Sequence, residues 1–329
     1  MTKTLFVGYI ENGAGCLVKN SNWDTSEAKP ALVKSTDDGL TWSRPLPFML
    51  NQGPGKAAVP TTPHDHIAIG PTKGLTIKRA GGGVRLQLPG EADASSAIFS
   101  DDNGATWQVS CLTDGRCQNR SFTLSPGEMD WTICSNGTRC PPGMKFLMVN
   151  RGGYAACPTM CSQFSADGIT WSKQIPTVNA DNILVGQGHA KPGVVAVPGA
   201  FISSQTLELC PPGVKMTGSL GHEVCGTPGT PSYRERRPDD VLGEGMCLMI
   251  SIDGIHWSLF KKTWPIGGMY TTAAGLTFDD DGAALTYGIV FAAGTLPWSR
   301  SGHIYYMNFT AVHPNGTMDA ELATAIAKL

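Results

Sequence analysis

Apolar positions along the 329 residues come in short runs of strand length, set between glycines and prolines. The opening MTKTLFVGYIENG reads as a strand entering a turn, and FLMVNRGG (146–153) and HIYYMNFT (303–310) read the same way. Apolar faces of helical period are scarce, and only the tail, Met318 to Leu329 (MDAELATAIAKL), has the pattern of a helix. The expectation is an all-β fold of many short strands. The 40 glycines and 23 prolines fit it, because they supply the turns between strands.

One stretch recurs. STDDGLTW at 35–42 returns as SDDNGATW at 100–107, SADGITW at 165–171 and SIDGIHW at 251–257. In the first copy the shared positions are Ser35, Asp37, Gly39, Thr41 and Trp42; the last two copies are one residue shorter, and His256 replaces threonine in the fourth. Asp or Asn before Gly suits a tight hairpin, since glycine accepts positive φ and the carboxylate accepts backbone N–H bonds. The tryptophan then opens the next strand, where an indole can fill the wedge between neighbouring hairpins. The repeat is therefore a folding device, outside any catalytic role. Its tryptophans are spaced by 65, 64 and 86 residues, room for one four-stranded sheet each, and a repeated sheet of that kind predicts a β-propeller.

The net charge of −2, without a basic run, gives no sign of a polyanion partner, so no nucleic acid is expected. No apolar stretch is long enough for a helical membrane span. The ten cysteines include close pairs, Cys111 with Cys117, Cys134 with Cys140, Cys157 with Cys161, and the wider Cys210 with Cys225. None has zinc-site spacing; loop-stapling disulfides in an oxidising compartment are the reading, with free buried thiols as its rival. Sequons at Asn119, Asn136, Asn308 and Asn315 point to a secreted glycoprotein, whereas the first residues lack the apolar core of a signal peptide.

The repeat matches the Asp box, S-x-D-x-G-x-T-W, found in sialidases and also in other glycosidases and non-enzymatic propellers. Four further stretches resemble the sialidase (exo-α-neuraminidase) family, in the family's order. IGPTKGLTIKRAGGGVRLQLPGE (69–91) resembles its Gly-Pro-Gly and Gly-Arg-Leu strands. GEMDWTICSNG (127–137), with FLMVNRGG after it, resembles the Asn-Glu-x-Gln segment and the Leu-Asn-x-Arg strand. GQGHAKPGVVAVPGAFISSQT resembles the Gln-Gly-Ser segment, and GGMYTTAAGLTFDDDG the Tyr-Ser-x-Leu stretch. The resemblance implies one domain over 1–329, a six-bladed propeller that begins inside the second blade.

It also implies a retaining exo-sialidase that uses no cofactor or metal and releases terminal sialic acids from sialylated glycans. The sugar's own carboxylate would repel a carboxylate nucleophile, so a phenol suits the attack. A phenol of pKa near 10 needs a base beside it. The matching positions are Tyr270 as nucleophile and Glu128 as its base, with Arg151 and Arg237 as bidentate clamps on the substrate carboxylate. Arg234 and Arg236 compete for the second clamp, next to an inserted loop at 238–246. The family's Tyr-Arg-Ile-Pro arginine and acid aspartate have no counterpart, no arginine preceding Arg44, so slow or absent turnover is expected. By residue type alone, Tyr270 reads as a buried strand aromatic, Glu128 as a solvated loop residue, Arg151 as a surface ion-pair partner and 234–237 as a basic loop. The alternative function is a non-catalytic Asp-box propeller that binds glycans or proteins.

Overall fold

The computed structural model describes residues 4–12, 28–52, 55–61, 67–69, 72–79, 81–92, 95–111, 129–151, 160–180, 182, 191–206, 216–217, 223–225, 246–264, 268–293 and 303–329. The chain divides into two compact units, the first Met1–Gly70 with Gly74–Phe122, the second Pro71–Lys73 with Thr123–Leu329.

In the first unit, β1 (Leu5–Asn12), β2 (Ala28–Ser35) and β3 (Leu46–Pro47) form an antiparallel sheet, and β4 (Met49–Leu50) pairs with β5 (Val59–Pro60). A five-stranded sheet follows, from β6 (Ile67–Ile69), β7 (Leu75–Lys78), β8 (Val84–Ala92), β9 (Ser95–Ser100) and β10 (Gln108–Cys111). In the second unit, β11 (Met129–Ile133), β12 (Phe146–Arg151), β13 (Met160–Ser165) and β14 (Ile175–Pro176) form the third sheet in chain order. The fourth has β15 (Gly193–Val197) and β16 (Ala200–Thr206), then, beyond a separate hairpin of β17 (Met216–Thr217) and β18 (Glu223–Cys225), β19 (Met246–Ser251) and β20 (Ser258–Trp264). The fifth is β21 (Gly268–Phe278), β22 (Ala284–Ala293) and β23 (His303–Thr310), and the short helix α1 (Ala320–Ile326) ends the chain as the tail pattern predicts.

The fold is an all-β propeller with five blades, which corrects the six that the resemblance implies. The 86 residues between Trp171 and Trp257 hold strands of one four-stranded blade and the β17–β18 hairpin, which among the described residues pairs with no other sheet. The interval is long because of an insertion within a blade.

Period-two alternation explains why the central strands of the larger unit carry unbroken apolar runs. On β19, Met246, Leu248 and Ile250 face one core cluster while Cys247 and Met249 face another; on β15, Val195 and Val197 oppose Val194 and Ala196. Each strand is covered on both faces, so both sets of side chains are buried.

The four repeat turns share one hydrogen-bond scheme. The serine hydroxyl accepts from the glycine N–H, as at Gly39 to Ser35 (2.9 Å) and Gly254 to Ser251 (2.8 Å). The aspartate then accepts from the backbone before the tryptophan, as at Thr41 to Asp37 (2.9 Å) and His256 to Asp253 (2.8 Å). The longer copies place two residues in the left-handed region, Asp38 with Gly39 and Asn103 with Gly104, where the shorter ones need only Gly168 or Gly254. His256 fulfils the threonine's role, its Nδ1 bonding Asp253 at 2.7 Å where the Thr41 hydroxyl bonds Asp37.

These turns also fasten blades. Phe6 of the first sheet lies 2.7 Å from where a Cβ on Gly104 would stand, and Leu147 of the third lies 2.9 Å from the equivalent point on Gly254. Parallel bridges join Leu50 to Trp107 and Val178 to His256 at the same two junctions. Trp107, Trp171 and Trp257 are buried as the wedge reading predicts, whereas Trp42 is 43 % exposed.

Cys134 and Cys140 are disulfide-bonded, as their spacing predicts; Cys161 is in a disulfide as well, and Cys247 is a buried free thiol. No helix among the described residues is long and apolar enough to cross a membrane.

Candidate active site

The site is built on the starts of three strands in the larger unit. Val194 N–H donates to Asp130 Oδ2 (2.8 Å) and Ala196 N–H to Thr132 Oγ1 (2.9 Å). The same two-residue step on both strands means that β11 and β15 run in one direction. Lys191 meets Thr271 and Gly193 meets Ala273, so β21 runs the same way beside β15. All three strands therefore begin at one end of the unit.

Asp130 holds them together from below. Its carboxylate is fully buried and accepts from Lys73 Nζ (2.9 Å), the Thr72 hydroxyl and the backbone N–H groups of Trp131, Val194 and Ala273. Lys73 also donates to the carbonyls of Val194 (2.6 Å) and Ala273 (2.7 Å), which uses all three ammonium protons. Burial pushes the Lys73 ammonium below its ordinary pKa, and the Asp130 charge opposes that shift. The Trp131 indole donates to the Lys73 carbonyl (3.0 Å), so residues 72 and 73 are anchored on the third sheet.

Tyr270 is near the start of β21 at an interruption of the ladder. Met269 pairs with Ala292 and Thr271 with Phe291, consecutive partners for residues two apart, so Tyr270 is the extra residue of a β-bulge. Bulges re-aim side chains and gather at functional sites. The strand resumes at Thr271, whose N–H donates to the Lys191 carbonyl (3.0 Å) and whose hydroxyl donates to the Ser204 carbonyl (2.6 Å). Glycine is required at 193: a Cβ there would stand 2.6 Å from both Ala273 N and Ser204 Oγ.

Arg151 is the last residue of β12 and is half-buried. Asn150 pairs with Met129 at the beginning of antiparallel β11, so Arg151 ends at the level where β11 begins. Asn150 itself is buried and donates to Gln163 Oε1 (2.8 Å), which braces the strand end. Tyr270 precedes Ala273 by three residues, about 10 Å of strand, and stands toward that same end. The larger unit thus brings the strand positions of Tyr270 and Arg151 to one rim. Glu128 and Arg237, with Arg234 and Arg236, lie outside the described residues. Among the described residues, no group of three His, Cys, Asp or Glu side chains is placed to hold a metal.

Sequence reasoning missed Asp130, Lys73 and Lys191. A charged residue inside the apolar run MDWTI was a usable signal for Asp130. Lys73 and Lys191 sit in Gly-Pro-rich segments, where lysine is ordinarily solvated, and nothing local marks them as buried.

The fold is similar to that of the NanB sialidase from Streptococcus pneumoniae, with a TM-score of 0.51 and 19% identity over 87% of this chain and 36% of that one. An intramolecular trans-sialidase from Ruminococcus gnavus aligns with a TM-score of 0.49 and 16% identity, over 86% of this chain and 50% of that chain. A leech intramolecular trans-sialidase aligns with a TM-score of 0.48 and 17% identity, over 86% of this chain and 36% of its own. The chain spans half or less of the length of these proteins. No family model matches the sequence, and no curated protein does.

Proposed function

We propose that this chain is a sialidase-like glycoside hydrolase that takes terminal sialic acids of glycoconjugates and works with retention through a tyrosyl intermediate. The observation that carries the reading is Tyr270 in a β-bulge at the rim where β12 ends in Arg151. The sialidase-type propeller, shared with a pneumococcal sialidase at the level of fold, supports it.

In the reaction, Glu128 takes the phenol proton of Tyr270, and the phenolate oxygen bonds to the anomeric carbon as the glycosidic bond breaks. Arg151 and Arg237 hold the sugar carboxylate in bidentate pairs. The departing glycosidic oxygen takes up a proton as it leaves. Water then attacks the same carbon, Glu128 returns its proton to the departing phenolate so that the phenol is released, and the water gives up its proton to solvent. An oxidising, extracellular or lumenal location belongs to the same reading, and the Cys134–Cys140 bond supports it.

Hydrolysis of a fluorogenic aryl sialoside tests the reading. Tyr270→Phe is expected to lower the rate at least about 100-fold, and unchanged hydrolysis removes the nucleophile. Saturable binding of a sialylated glycan with no turnover of the aryl sialoside would make the chain a glycan-binding propeller instead.

A further inference from the structure

Lys191 is among the largest fully enclosed side chains of the molecule, with 1 % of its surface exposed. A buried ammonium is unfavourable without strong partners, so its position calls for a cause. Its Nζ donates to the carbonyl of Thr271 (2.8 Å), while its own carbonyl accepts the N–H of Thr271 (3.0 Å). One residue of the segment leading into β15 therefore grips both peptide groups of one residue in β21. That residue directly follows Tyr270 and is the first to rejoin the ladder after the bulge.

A bulge leaves its extra residue without a ladder bond, so the backbone there is held less firmly than the strand around it. The grip by Lys191 restrains it from the neighbouring sheet. The Ser204 hydroxyl adds to the lattice by donating to Thr271 Oγ1 (3.0 Å), and glycine at 193 lets the two strands approach closely enough for these bonds to form.

We propose that Lys191 is a positioning residue for Tyr270, fixing the backbone of the bulge in which it stands. The inference rests on the sialidase reading for its catalytic consequence, while its structural content stands apart from turnover. A fixed cation beside the Thr271 carbonyl also favours negative charge nearby, in the sense needed for a phenol that must ionise.

The test uses the full chain with 3-fluorotyrosine incorporated, the Tyr270 fluorine resonance being assigned by its loss in Tyr270→Phe. Lys191→Met is expected to shift or broaden that resonance and to raise the titration midpoint of the phenol. Its kcat on the aryl sialoside should fall by about tenfold or more, with KM within about threefold. A folded Lys191→Met protein with the resonance, titration and kcat all unchanged overturns the proposal. Absence of turnover in the wild type would count against the sialidase reading alone, and the resonance then decides the positioning role. Should Lys191→Met not fold, Lys191→Arg carries the test. The guanidinium keeps the charge but displaces the donor, so an unmoved Tyr270 resonance in that folded variant overturns the proposal equally.

Discussion

Asp130 and Lys73 meet at 2.9 Å inside the larger unit, the Asp130 side chain wholly enclosed and that of Lys73 22 % exposed. The pair ties β11 to the main chains of β15 and β21, so one ion pair serves three strands. Removing the carboxylate strands a largely buried cation and takes the acceptor from the N–H groups of Trp131, Val194 and Ala273. Asp130→Ala is expected to lower the unfolding free energy by about 3–5 kcal/mol, measured by urea denaturation. Lys73→Met should be milder, because Asp130 keeps its backbone donors. The Lys73→Met, Asp130→Leu double variant should recover part of the loss, and strictly additive effects would contradict the coupling.

At Gly193 the strands are too close for a side chain. Gly193→Ala drives a methyl group toward Ala273 N and Ser204 Oγ and is expected to cost about 1–3 kcal/mol. A lowered thermal midpoint reports it, by about 2–4 °C for each kcal/mol. A midpoint equal to that of the wild type would mean that β15 and β21 separate freely.

Acid should loosen the repeat turns. The Thr41 hydroxyl and N–H, with the Ser35 hydroxyl, hold Asp37 down to about 2. Burial would raise Asp102, Asp167 and Asp253, yet donors such as Thr106 for Asp102 and His256 for Asp253 outweigh it and leave all three lowered. Each carboxylate holds its proton less tightly folded than unfolded. Its contribution is therefore complete above about pH 4 and disappears as acidification passes the folded value. The urea midpoint should fall from pH 4 toward about pH 2. Asp253→Asn should flatten that dependence, and a slope equal to that of the wild type would contradict the assignment.

The Cys134–Cys140 bond closes a loop of six residues' separation. Replacing both cysteines by serine is expected to cost about 2 kcal/mol, read from denaturant midpoints under non-reducing conditions. No change would mean that the turn is held by its other contacts, among them the Thr138 hydroxyl on the Ser135 carbonyl (2.6 Å).

Asn136, Asn308 and Asn315 are exposed, so the sequons at these positions are open to a glycosyltransferase. Expression through a eukaryotic secretory pathway should add mass that an N-glycanase removes. Asn308→Gln, placed on an edge strand, should remove one increment without changing the thermal midpoint.

Sequence was a good guide to whatever depends on local spacing. The four repeat turns, the strands flanking them and the final helix could be read because serine, aspartate and glycine at fixed offsets satisfy their own turn. The even-handed burial of β19 follows from its unbroken apolar run. The number of blades was less accessible, since an insertion such as the β17–β18 hairpin lengthens an interval without adding a blade. Tyr270 and Arg151 stand out only through the family resemblance, since residue type alone makes them a strand aromatic and a surface ion-pair partner. The site's architecture was hidden because it depends on partners far along the chain. The bulge at Tyr270 exists only in register with β22, and the burial of Lys73 and Lys191 only through strands that meet them from elsewhere.

The repeat turns at Gly104 and Gly254 each clasp the sheet before them while belonging to the sheet after. A gene segment cut at such turns would carry its own fastener, so duplicating one would extend the row without inventing a new interface. The same arrangement exposes the row to propagated damage. A lesion in one turn loosens two neighbours at once, so mechanical pulling on the chain should release blades in pairs.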